Sequence, residues 1–438
     1  MSPLLLFIVQ ASLSIACARL VGLVMRRLGQ PMVIAEIVAG IALGPSLLGW
    51  LLPGVEAAVF PAGSLGPLSI VSQIGLLLFM FLVGLEFDPA MLRARARAAV
   101  TISHASIFVP FGLGLLLAVI VYARLSPPGV PFQSFAMFMG VSMSITAFPV
   151  LARILSERGM LRSETGAMAL ACAAVDDITC WCVLAFILAL VRATSLWGAA
   201  ATVALAVSYT ALMLGVVRPL ASRLGDRLAR RAAAPEPQRL VAVVILMVLA
   251  SSTITELIGI HAIFGAFLCG VVMPREHGLP RRIAERLEDL VSVFMLPLFF
   301  AFSGLRTELG LLDRASDWLW CGLVIALACL GKFGGSVAAA RFSGFGWRQS
   351  SAIGILMNTR GLVELVVLNI GYDLGLVSRT LFTMLVLMAL VTTFMTSPLL
   401  AWIYPAGSAD VSLGSRSRGD SSAGGTSAAR SRLAWPPG

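Results

Sequence analysis

Two adjacent acids, Asp176 and Asp177, lie inside an apolar segment whose sequence is AAVDDITCW. A charged group near the centre of a bilayer costs roughly 2.5–3.5 kcal/mol even on insertion scales, so each acid is expected to have a partner or a function. Neighbouring helical residues point about 100° apart, so the two carboxyl groups cannot share one face. One can meet a cation in a cavity while the other meets a basic side chain. The alternative is a pair kept protonated for packing, which alanine would do without that cost.

The basic side chain suited to that role is Lys332, the only lysine among 32 basic residues, within the apolar stretch 319–340. A guanidinium group stays protonated at any pH that a protein meets, whereas a buried ammonium group can lose its proton. Arginine could fill a structural role, so a lysine kept only here indicates a charge that must be removable. The alternative is a coding bias toward arginine that left one lysine by accident. An accident would be better tolerated in a loop than inside a membrane.

Two other segments carry polar residues that would interrupt a membrane helix. The first, SMSITAFPV, contains Ser144, Thr146 and Pro149. The proline lacks a backbone donor, clashes with the carbonyl of Ile145 and disfavours helix for Phe148, so backbone oxygens near Thr146 are freed. In lipid, such backbone is tolerated only where protein or a water-filled cavity satisfies it, and hard cations bind to oxygen atoms. The pattern predicts either a proline kink or part of an ion site.

The second interruption, NTRGLVE, contains Asn358, Thr359 and Arg360 before a glycine in the middle of its segment. Arg360 and Glu364 are four residues apart, so they can pair on one helical face. Because arginine keeps its proton, we assign this pair to structural support of the broken helix. Paired interruptions are the best sequence indication of a transporter's central site.

The elements that must position these residues are membrane helices. The chain has 438 residues, of which 58% are hydrophobic and 12% charged, and apolar runs of roughly twenty residues recur along it. The predicted class is an all-α integral membrane protein with about 13 transmembrane helices. The segments are about 3–25, 31–50, 68–86, 98–123, 133–155, 164–191, 196–217, 239–258, 260–274, 289–305, 318–340, 348–371 and 380–404.

The order of the segments indicates a doubled architecture. Segments one to six can be set against segments eight to thirteen, and each half has its polar interruption in its fifth segment. This pattern predicts two inverted repeats with segment seven as the connector.

The net charge of +10 reflects arginines that concentrate in alternate loops, with twenty after odd-numbered segments and five after even-numbered ones. The positive-inside rule then places the N-terminus outside and the C-terminus in the cytoplasm. The charge reports orientation, so no nucleic-acid partner is expected. The first segment has neither a basic leader nor a cleavage site and is expected to be retained. Residues 406–438, rich in Ser, Gly, Ala and Arg, are expected to form a disordered tail without a nucleotide-binding domain.

The remaining polar residues are weaker signals. All seven cysteines lie in apolar segments, where thiols act as small hydrophobic groups, so neither a disulfide framework nor a zinc site is expected. No cofactor is expected. Glu36, Glu86, Glu256 and His261 lie near segment ends and are interpreted as entrance or structural groups that reach water or cap helices.

At these residues the chain resembles the bacterial, fungal and plant monovalent cation:proton antiporters of the second large antiporter family. The matching stretches follow the family's order and are GQPMVIAEIVAGIALGPSLLG, LLLFMFLVGLEFDP, SITAFPVLARILSERG, AAVDDITCW, IGIHAIFGAFLCGVVMP, LPLFFAFSGLRTE and NTRGLVELVVLNIG. The resemblance implies a homodimer in the bacterial inner membrane. Each protomer would have a dimerisation part (about 1–95 and 239–305), a mobile core part (about 98–191 and 318–404) and a linker helix (196–217).

The resemblance also implies how the site works. Two unwound helices would cross beside the acid pair, Asp177 would bind the cation or protons, and Asp176 would be the partner of Lys332. The crossing would be lined by Ser144, Thr146, Asn358 and Thr359. The implied protein is not an enzyme but a secondary active antiporter that exchanges Na⁺ or K⁺ for protons by an elevator movement. Two acids with one lysine are the type that the family associates with electrogenic exchange.

Three other functions stay open at this point. Electroneutral potassium/proton efflux differs from this prediction in ion and stoichiometry. An intramembrane aspartyl protease would need its two acids on separate helices, whereas these are consecutive. A passive channel favours several weak sites over one costly acid pair.

Overall fold

The computed structural model describes residues 2–61, 63–86, 96–160, 163–192, 196–223, 237–274 and 278–404. These residues form helices joined by short connections, and no β-strand occurs among them. Ten helical stretches are long and apolar enough to cross a membrane. The predicted all-α integral membrane fold is therefore confirmed for the described part of the chain. The tail predicted at 406–438 lies outside it.

The helices of the described ranges are α1 (Pro3–Arg27), α2 (Met32–Leu43), α3 (Leu48–Leu51), α4 (Pro53–Val59), α5 (Gly66–Glu86), α6 (Ala96–Leu125), α7 (Phe132–Ser144), α8 (Phe148–Glu157), α9 (Glu164–Arg192), α10 (Leu196–Leu212), α11 (Pro237–Ile258), α12 (Ala262–Val272), α13 (Leu279–Leu290), α14 (Leu296–Leu305), α15 (Ala315–Cys329), α16 (Gly335–Phe342), α17 (Trp347–Met357), α18 (Leu362–Asp373) and α19 (Arg379–Ile403). Turns of π-helix follow α10 and join α13 to α14 and α15 to α16.

The predicted segments correspond to these helices, with three exceptions. The segments predicted at 133–155 and 348–371 are each broken in two, as α7–α8 and α17–α18, and the segment at 260–274 is the short helix α12. The other ten match the ten spanning stretches, of which the second, Met32–Leu51, is interrupted after Leu43. The exact number of membrane crossings stays a prediction.

One boundary prediction is wrong by about ten residues. The tenth segment was predicted to begin at 289, but α13 begins at Leu279 and continues through a π turn into α14. The arginines there suggested a loop. Ile283 and Leu287, four residues apart, are both buried, so the charged residues occupy the other faces of an amphipathic helix. The second segment likewise ends early, at Leu43, because Pro45 disfavours helix for the residue before it.

The acidic and histidine residues near segment ends have mainly structural roles. Glu256 accepts a hydrogen bond from the backbone N–H of Ala262 at 2.9 Å, and His261 is the N-cap of α12. Both residues therefore satisfy N–H groups that a helix start leaves unpaired. Glu36 is buried in α2 with 5% exposure. It was expected to lie where it could reach water, and it does not. The side chain of Glu86 lies outside the described part.

Both polar interruptions are breaks in the helical backbone. Between α7 and α8 the chain is extended, with Ile145 at φ −74° and ψ 138°. Phe148 was expected to be non-helical, but it begins α8, because Pro149 stands in the first turn, where a missing N–H costs nothing. Between α17 and α18, Gly361 has φ +156°, a conformation that other residues rarely adopt.

The helices pack into two groups. The first group contains α1, α2, α5 and α11–α14, and the second contains α6–α9 and α15–α19. Helix α10 contacts α9 on one side and α11 on the other. The groups meet where α14 packs against α18 and α2 against α19. Both broken helices therefore belong to the second group.

Two glycine crossings in the first group repeat the same geometry. A Cβ on Gly304 of α14 would overlap the backbone of α2 at Gly40, and a Cβ on Gly84 of α5 would overlap the backbone of α12 at Gly270. In each pair the glycine would collide with the carbonyl three residues before its partner. Segment two therefore crosses segment ten in the same way as segment nine crosses segment three. Segments two and nine hold the same place in their halves, and so do segments three and ten. The predicted inverted repeats stay a prediction, which this recurrence favours.

Candidate functional site

Lys332 lies in the π turn between α15 and α16, and its side chain is fully buried. The Nζ atom donates to Asp176 Oδ2 at 2.8 Å, to Ser106 Oγ at 2.9 Å and to Thr146 Oγ1 at 2.6 Å. An ammonium group has three hydrogens, so all of them are used. The lysine is thus anchored by three side chains in the interior of the second packing group.

Asp176 and Lys332 form an ion pair in which both side chains have 0% exposure. The other carboxylate oxygen of Asp176 accepts from Ser103 Oγ at 3.4 Å. Ser103 and Ser106 were not predicted as site residues. They are three residues apart in α6, so they share a helical face, and this spacing of two serines in an apolar segment was the available signal.

Asp177 has a different environment from its neighbour. It is 3% exposed, and neither of its carboxylate oxygens has a hydrogen-bond partner among the described residues. A buried acid without a partner is costly in a fold, so this carboxyl group has capacity for a bound proton or cation.

The two broken helices are bonded to each other at their interruptions. The backbone N–H of Ala147 donates to the carbonyl of Thr359 at 2.9 Å. The Thr146 hydroxyl donates to the carbonyl of Met357, the last residue of α17, also at 2.9 Å. Thr146 therefore accepts from Lys332 while it donates to the other broken helix. This one side chain connects the charged pair to the crossing.

Helix α19 supports the second interruption through threonines that the sequence analysis did not single out. The Thr393 hydroxyl accepts from the Arg360 backbone N–H at 3.1 Å and lies 2.7 Å from the Arg360 carbonyl, to which it can donate. The Thr359 hydroxyl donates to Thr396 at 3.3 Å. The freed backbone groups of the break are thus satisfied by side chains, as a membrane interior requires.

Arg360 joins the two interruptions from inside the protein. It has 0% exposure and pairs with Glu364 at 3.0 Å. Its guanidinium also donates to the carbonyls of Ser142 at 2.8 Å and Met143 at 2.6 Å, in the last turn of α7. The carbonyls at a helix end lack intrahelical donors and favour a cation. The expected pairing of Arg360 with Glu364 is present, but the two residues do not share one helical face, because Arg360 precedes α18 and lies in the break.

We expect Arg360→Met to destabilise the protein by roughly 3–5 kcal/mol, because Glu364 would become an unpaired buried charge. The measurement is the thermal midpoint of the purified protein in detergent. The matched control is Arg314→Met, which removes an exposed arginine and should leave the midpoint unchanged. Adding Glu364→Gln to Arg360→Met should recover part of the loss. An unchanged midpoint for Arg360→Met would contradict the supporting role.

The remaining predicted site residues lie at the crossing with different contacts. Ser144 ends α7, and its hydroxyl is directed to the carbonyls of Ile107 and Gly140, at 3.1 and 2.7 Å. Asn358 is buried, and its Oδ1 atom has no hydrogen-bond partner among the described residues. The side chain of Pro149 lies outside the described part.

The site is rich in oxygen atoms, which are the ligands that hard cations prefer. Its groups are two carboxylates, hydroxyls and backbone carbonyls. Within the described ranges, His, Cys, Asp and Glu form no group of three or more that could hold a metal ion.

Comparisons with known proteins show which family the sequence and the fold resemble. The profile of the family described as sodium/hydrogen exchanger, transmembrane, matches residues 13–403. The chain is 45% identical over 406 residues to the Na⁺/H⁺ antiporter NhaS4 of Synechocystis, covering 92% of this chain and 98% of that protein. It is 35% identical over 413 residues to K⁺/H⁺ antiporter 1 of Saccharomyces cerevisiae, covering 92% of this chain but 47% of that protein.

Two further comparisons concern plant proteins and the fold. Cation/H⁺ antiporter 17 of Arabidopsis thaliana is 42% identical over 410 residues, covering 92% of this chain and 49% of the plant protein. The chain thus spans about half the length of its plant and yeast relatives. The sodium proton antiporter MjNhaP1 of Methanocaldococcus jannaschii has a TM-score of 0.68 at 15% identity, covering 94% of this chain and 100% of that structure. This likeness shows a shared fold.

The predicted resemblance is thereby confirmed, and with it a multi-pass membrane protein from a family of transporters and not of enzymes. The chain belongs to the sodium/hydrogen exchanger family of transmembrane proteins.

Proposed function

We propose that the chain is a secondary active antiporter that exchanges a monovalent cation, Na⁺ or K⁺, for protons at Asp177. The observation that carries the proposal is the contrast between two adjacent acids. Asp176 is paired with Lys332, whereas Asp177 has two buried oxygens without hydrogen-bond partners among the described residues. A buried carboxylate is stabilised by a proton or by a cation. The two states exclude each other, so protons and cation compete for one group.

Lys332 couples a second proton to this competition. Its ammonium group is bonded to Asp176, which is the residue next to Asp177. A cation entering at Asp177 adds positive charge beside the ammonium and favours release of a proton from it. If Asp177 and Lys332 each release one proton for one monovalent cation, each cycle moves one net charge. The exchange is therefore electrogenic in our proposal.

The crossing supplies further oxygen atoms for the ion. The unpartnered Oδ1 atom of Asn358 supports this assignment, and the carbonyls of Ser144, Thr146 and Thr359 can each accept two contacts because a carbonyl oxygen has two lone pairs. These are uncharged oxygens, which suit a cation that must leave again in each cycle. In our proposal, Asp177 is the charged ligand of the ion. The crossing provides uncharged amide and carbonyl oxygens.

The packing of the helices supports an elevator movement. The second group, which carries the site, corresponds to the proposed core part, and the first group corresponds to the proposed dimerisation part. Helix α10, which contacts both groups, corresponds to the linker. We propose that the core part slides along the dimerisation part with Asp177 loaded by either cation or protons. The protein would act as a homodimer in the bacterial inner membrane, with the N-terminus outside.

The test is electrophysiology on solid-supported membranes with purified protein in proteoliposomes. We expect jumps of Na⁺ or K⁺ to produce transient currents that saturate with cation concentration and reverse with an imposed pH gradient. A second arm uses Li⁺, and a pH dye reports proton movement in the same liposomes. Absence of proton movement with all three cations would refute the antiport proposal.

The same experiment separates the alternative, electroneutral potassium/proton efflux. In that case K⁺ would drive the dye signal without a current, and membrane potential would not change the rate. This alternative is tested because the yeast relative is named as a K⁺/H⁺ antiporter. Currents that do not saturate and cannot be reversed by a pH gradient would indicate a channel instead.

A further inference from the structure

A charged contact joins the two packing groups away from the crossing. Arg306 directly follows α14, the last helix of the first group, and its Nη1 atom pairs with Asp373 at the end of α18, in the second group, at 2.8 Å. The same nitrogen donates to Asn369 Oδ1 at 3.0 Å. Asn369 in turn donates to Ser303 of α14 at 2.8 Å. Three side-chain contacts therefore join the C-terminal end of α14 to the last turns of α18.

The arginine of this contact is fixed by its surroundings. Its guanidinium lies over the ring of Phe302, 4.2 Å from the centroid, and 5.4 Å from the ring centroid of Tyr372. Phe302 belongs to the first group and Tyr372 to the second. Arginine stacks on aromatic faces and pairs with carboxylates at the same time, so it can hold two surfaces together.

A cavity lies beneath this contact, between the same two groups. It has a volume of about 80 Å³ and is lined by α5, the start of α12, α14 and α18. Its polar lining includes Ser72, Gln73, Asn369 and Asp373. Ser72 is fully buried, and its hydroxyl has no hydrogen-bond partner in the described part. Asn369 and Asp373 thus both line the cavity and bind Arg306.

The cavity extends toward the crossing along α18. Val366, which lines it, is four residues after Leu362, the first residue of that helix, a rise of about 6 Å. The opposite end of the cavity is at Asp373, on the side predicted to be external. The cavity therefore follows α18 from Asp373 to about one turn from the first residue of that helix, and Arg306 binds the residues at the Asp373 end.

We propose that Arg306, Asn369 and Asp373 form an outer latch that closes the external route to the ion site. The inference rests on the proposed antiport, because a core part that slides against α14 cannot keep contacts of 2.8 and 3.0 Å in both end states. The latch stabilises the state in which the inner wall of the cavity, at Ser72, is closed off from solvent. Its release exposes the cavity to the external solution and gives a cation access toward Asp177.

The test measures how fast a cavity residue becomes accessible. Ser72→Cys places a thiol in the cavity, and the full-length protein is reacted with a charged, membrane-impermeant maleimide in right-side-out and inside-out vesicles. With Arg306→Gln added, we expect labelling from the external side to become about five- to tenfold faster, as loss of a partly exposed ion pair and a cation–π contact suggests. The apparent KM for external cation should fall by a similar factor, because more protein is open to that side.

Three variants control the measurement. The protein without Ser72→Cys gives the background from its native thiols. Arg314→Gln removes an exposed arginine of the following connection and should change neither labelling nor KM. The reciprocal swap, Arg306→Asp with Asp373→Arg, restores an ion pair and should slow labelling again. If Arg306→Gln does not fold, Asp373→Asn breaks the same pair from the other group and should give the same acceleration.

The outcomes separate the latch from the antiport itself. Labelling that Arg306→Gln and Asp373→Asn leave unchanged, or acceleration from the internal side only, would overturn the latch while the wild-type exchange stands. Equal acceleration by Arg314→Gln would also overturn it, since any loss of positive charge would then suffice. Absence of exchange in the wild type would refute the antiport whatever the labelling shows.

Discussion

Asp177→Asn is expected to reduce cation/proton exchange to the background of protein-free liposomes. Asparagine keeps the size of the side chain but can neither release a proton nor neutralise a cation. Neither oxygen of Asp177 is used by another described group, so the substitution breaks no hydrogen bond among them. The fold should therefore remain intact while the exchanged group is lost. The measurement is cation-dependent dequenching of a pH dye in proteoliposomes with the variant at matched density.

The matched control is Asp317→Asn, in the first turn of α15. Asp317 lies 3.5 Å from Arg124 and is remote in sequence from both interruptions, so this variant should still exchange. A thermal midpoint for Asp177→Asn that equals or exceeds that of the wild type would show that lost activity does not reflect unfolding. Cation-dependent dequenching that persists in Asp177→Asn would remove Asp177 from the mechanism.

Helix geometry predicted that the two neighbouring acids have different partners, whereas the family resemblance indicated that Asp176 is the one beside Lys332. Residues 100° apart cannot face one partner, and an apolar segment leaves few residues to pair with, so Lys332 was the evident candidate. The structure places Lys332 2.8 Å from Asp176. The two interruptions were equally visible, because proline, glycine and polar residues within an apolar run weaken a helix that lipid would otherwise keep continuous.

What the sequence could not supply are contacts made between segments far apart in the chain. The sequence does not show that Ser103 and Ser106 contact Asp176 and Lys332, because these contacts depend on how α6 packs. Arg360 was expected to pair within its own helix, but its other acceptors are carbonyls more than two hundred residues earlier. Periodicity reports which face of a helix is apolar, not which helix will cover it.

The start of α13 shows a different limit. Charged residues at 281–289 indicated a loop because a membrane segment was expected to be apolar all round. The helix is amphipathic there and apolar only beyond it, so composition averaged over the stretch gave the wrong boundary. Seen at helical spacing, Ile283 and Leu287 already form the buried face.

Lys332→Gln is expected to remove the charge movement of exchange while a slower, cation-dependent proton signal persists. Glutamine can bond to Ser106 and Thr146 but carries no proton that a cation could displace. Asp177 would still exchange one proton for one monovalent cation, which moves no net charge. Currents on solid-supported membranes should fall to background, and the pH dye should still respond. The same variant leaves Asp176 without its counter-charge, so the rate should also drop.

Lys332→Arg tests whether the charge must be removable or merely present. Arginine keeps the positive charge beside Asp176, but its guanidinium does not release a proton at any accessible pH. Because its planar group also differs in shape, the variant's thermal midpoint must be compared with that of Lys332→Gln. If the arginine variant is at least as stable as the glutamine variant, a lost current can be assigned to the fixed proton and not to a damaged fold. We expect Lys332→Arg to be at least as stable as Lys332→Gln and to give no exchange current. If Lys332→Arg instead exchanges at the wild-type rate and moves the wild-type charge per cation, Lys332 only neutralises Asp176. The second proton would then have to come from another group.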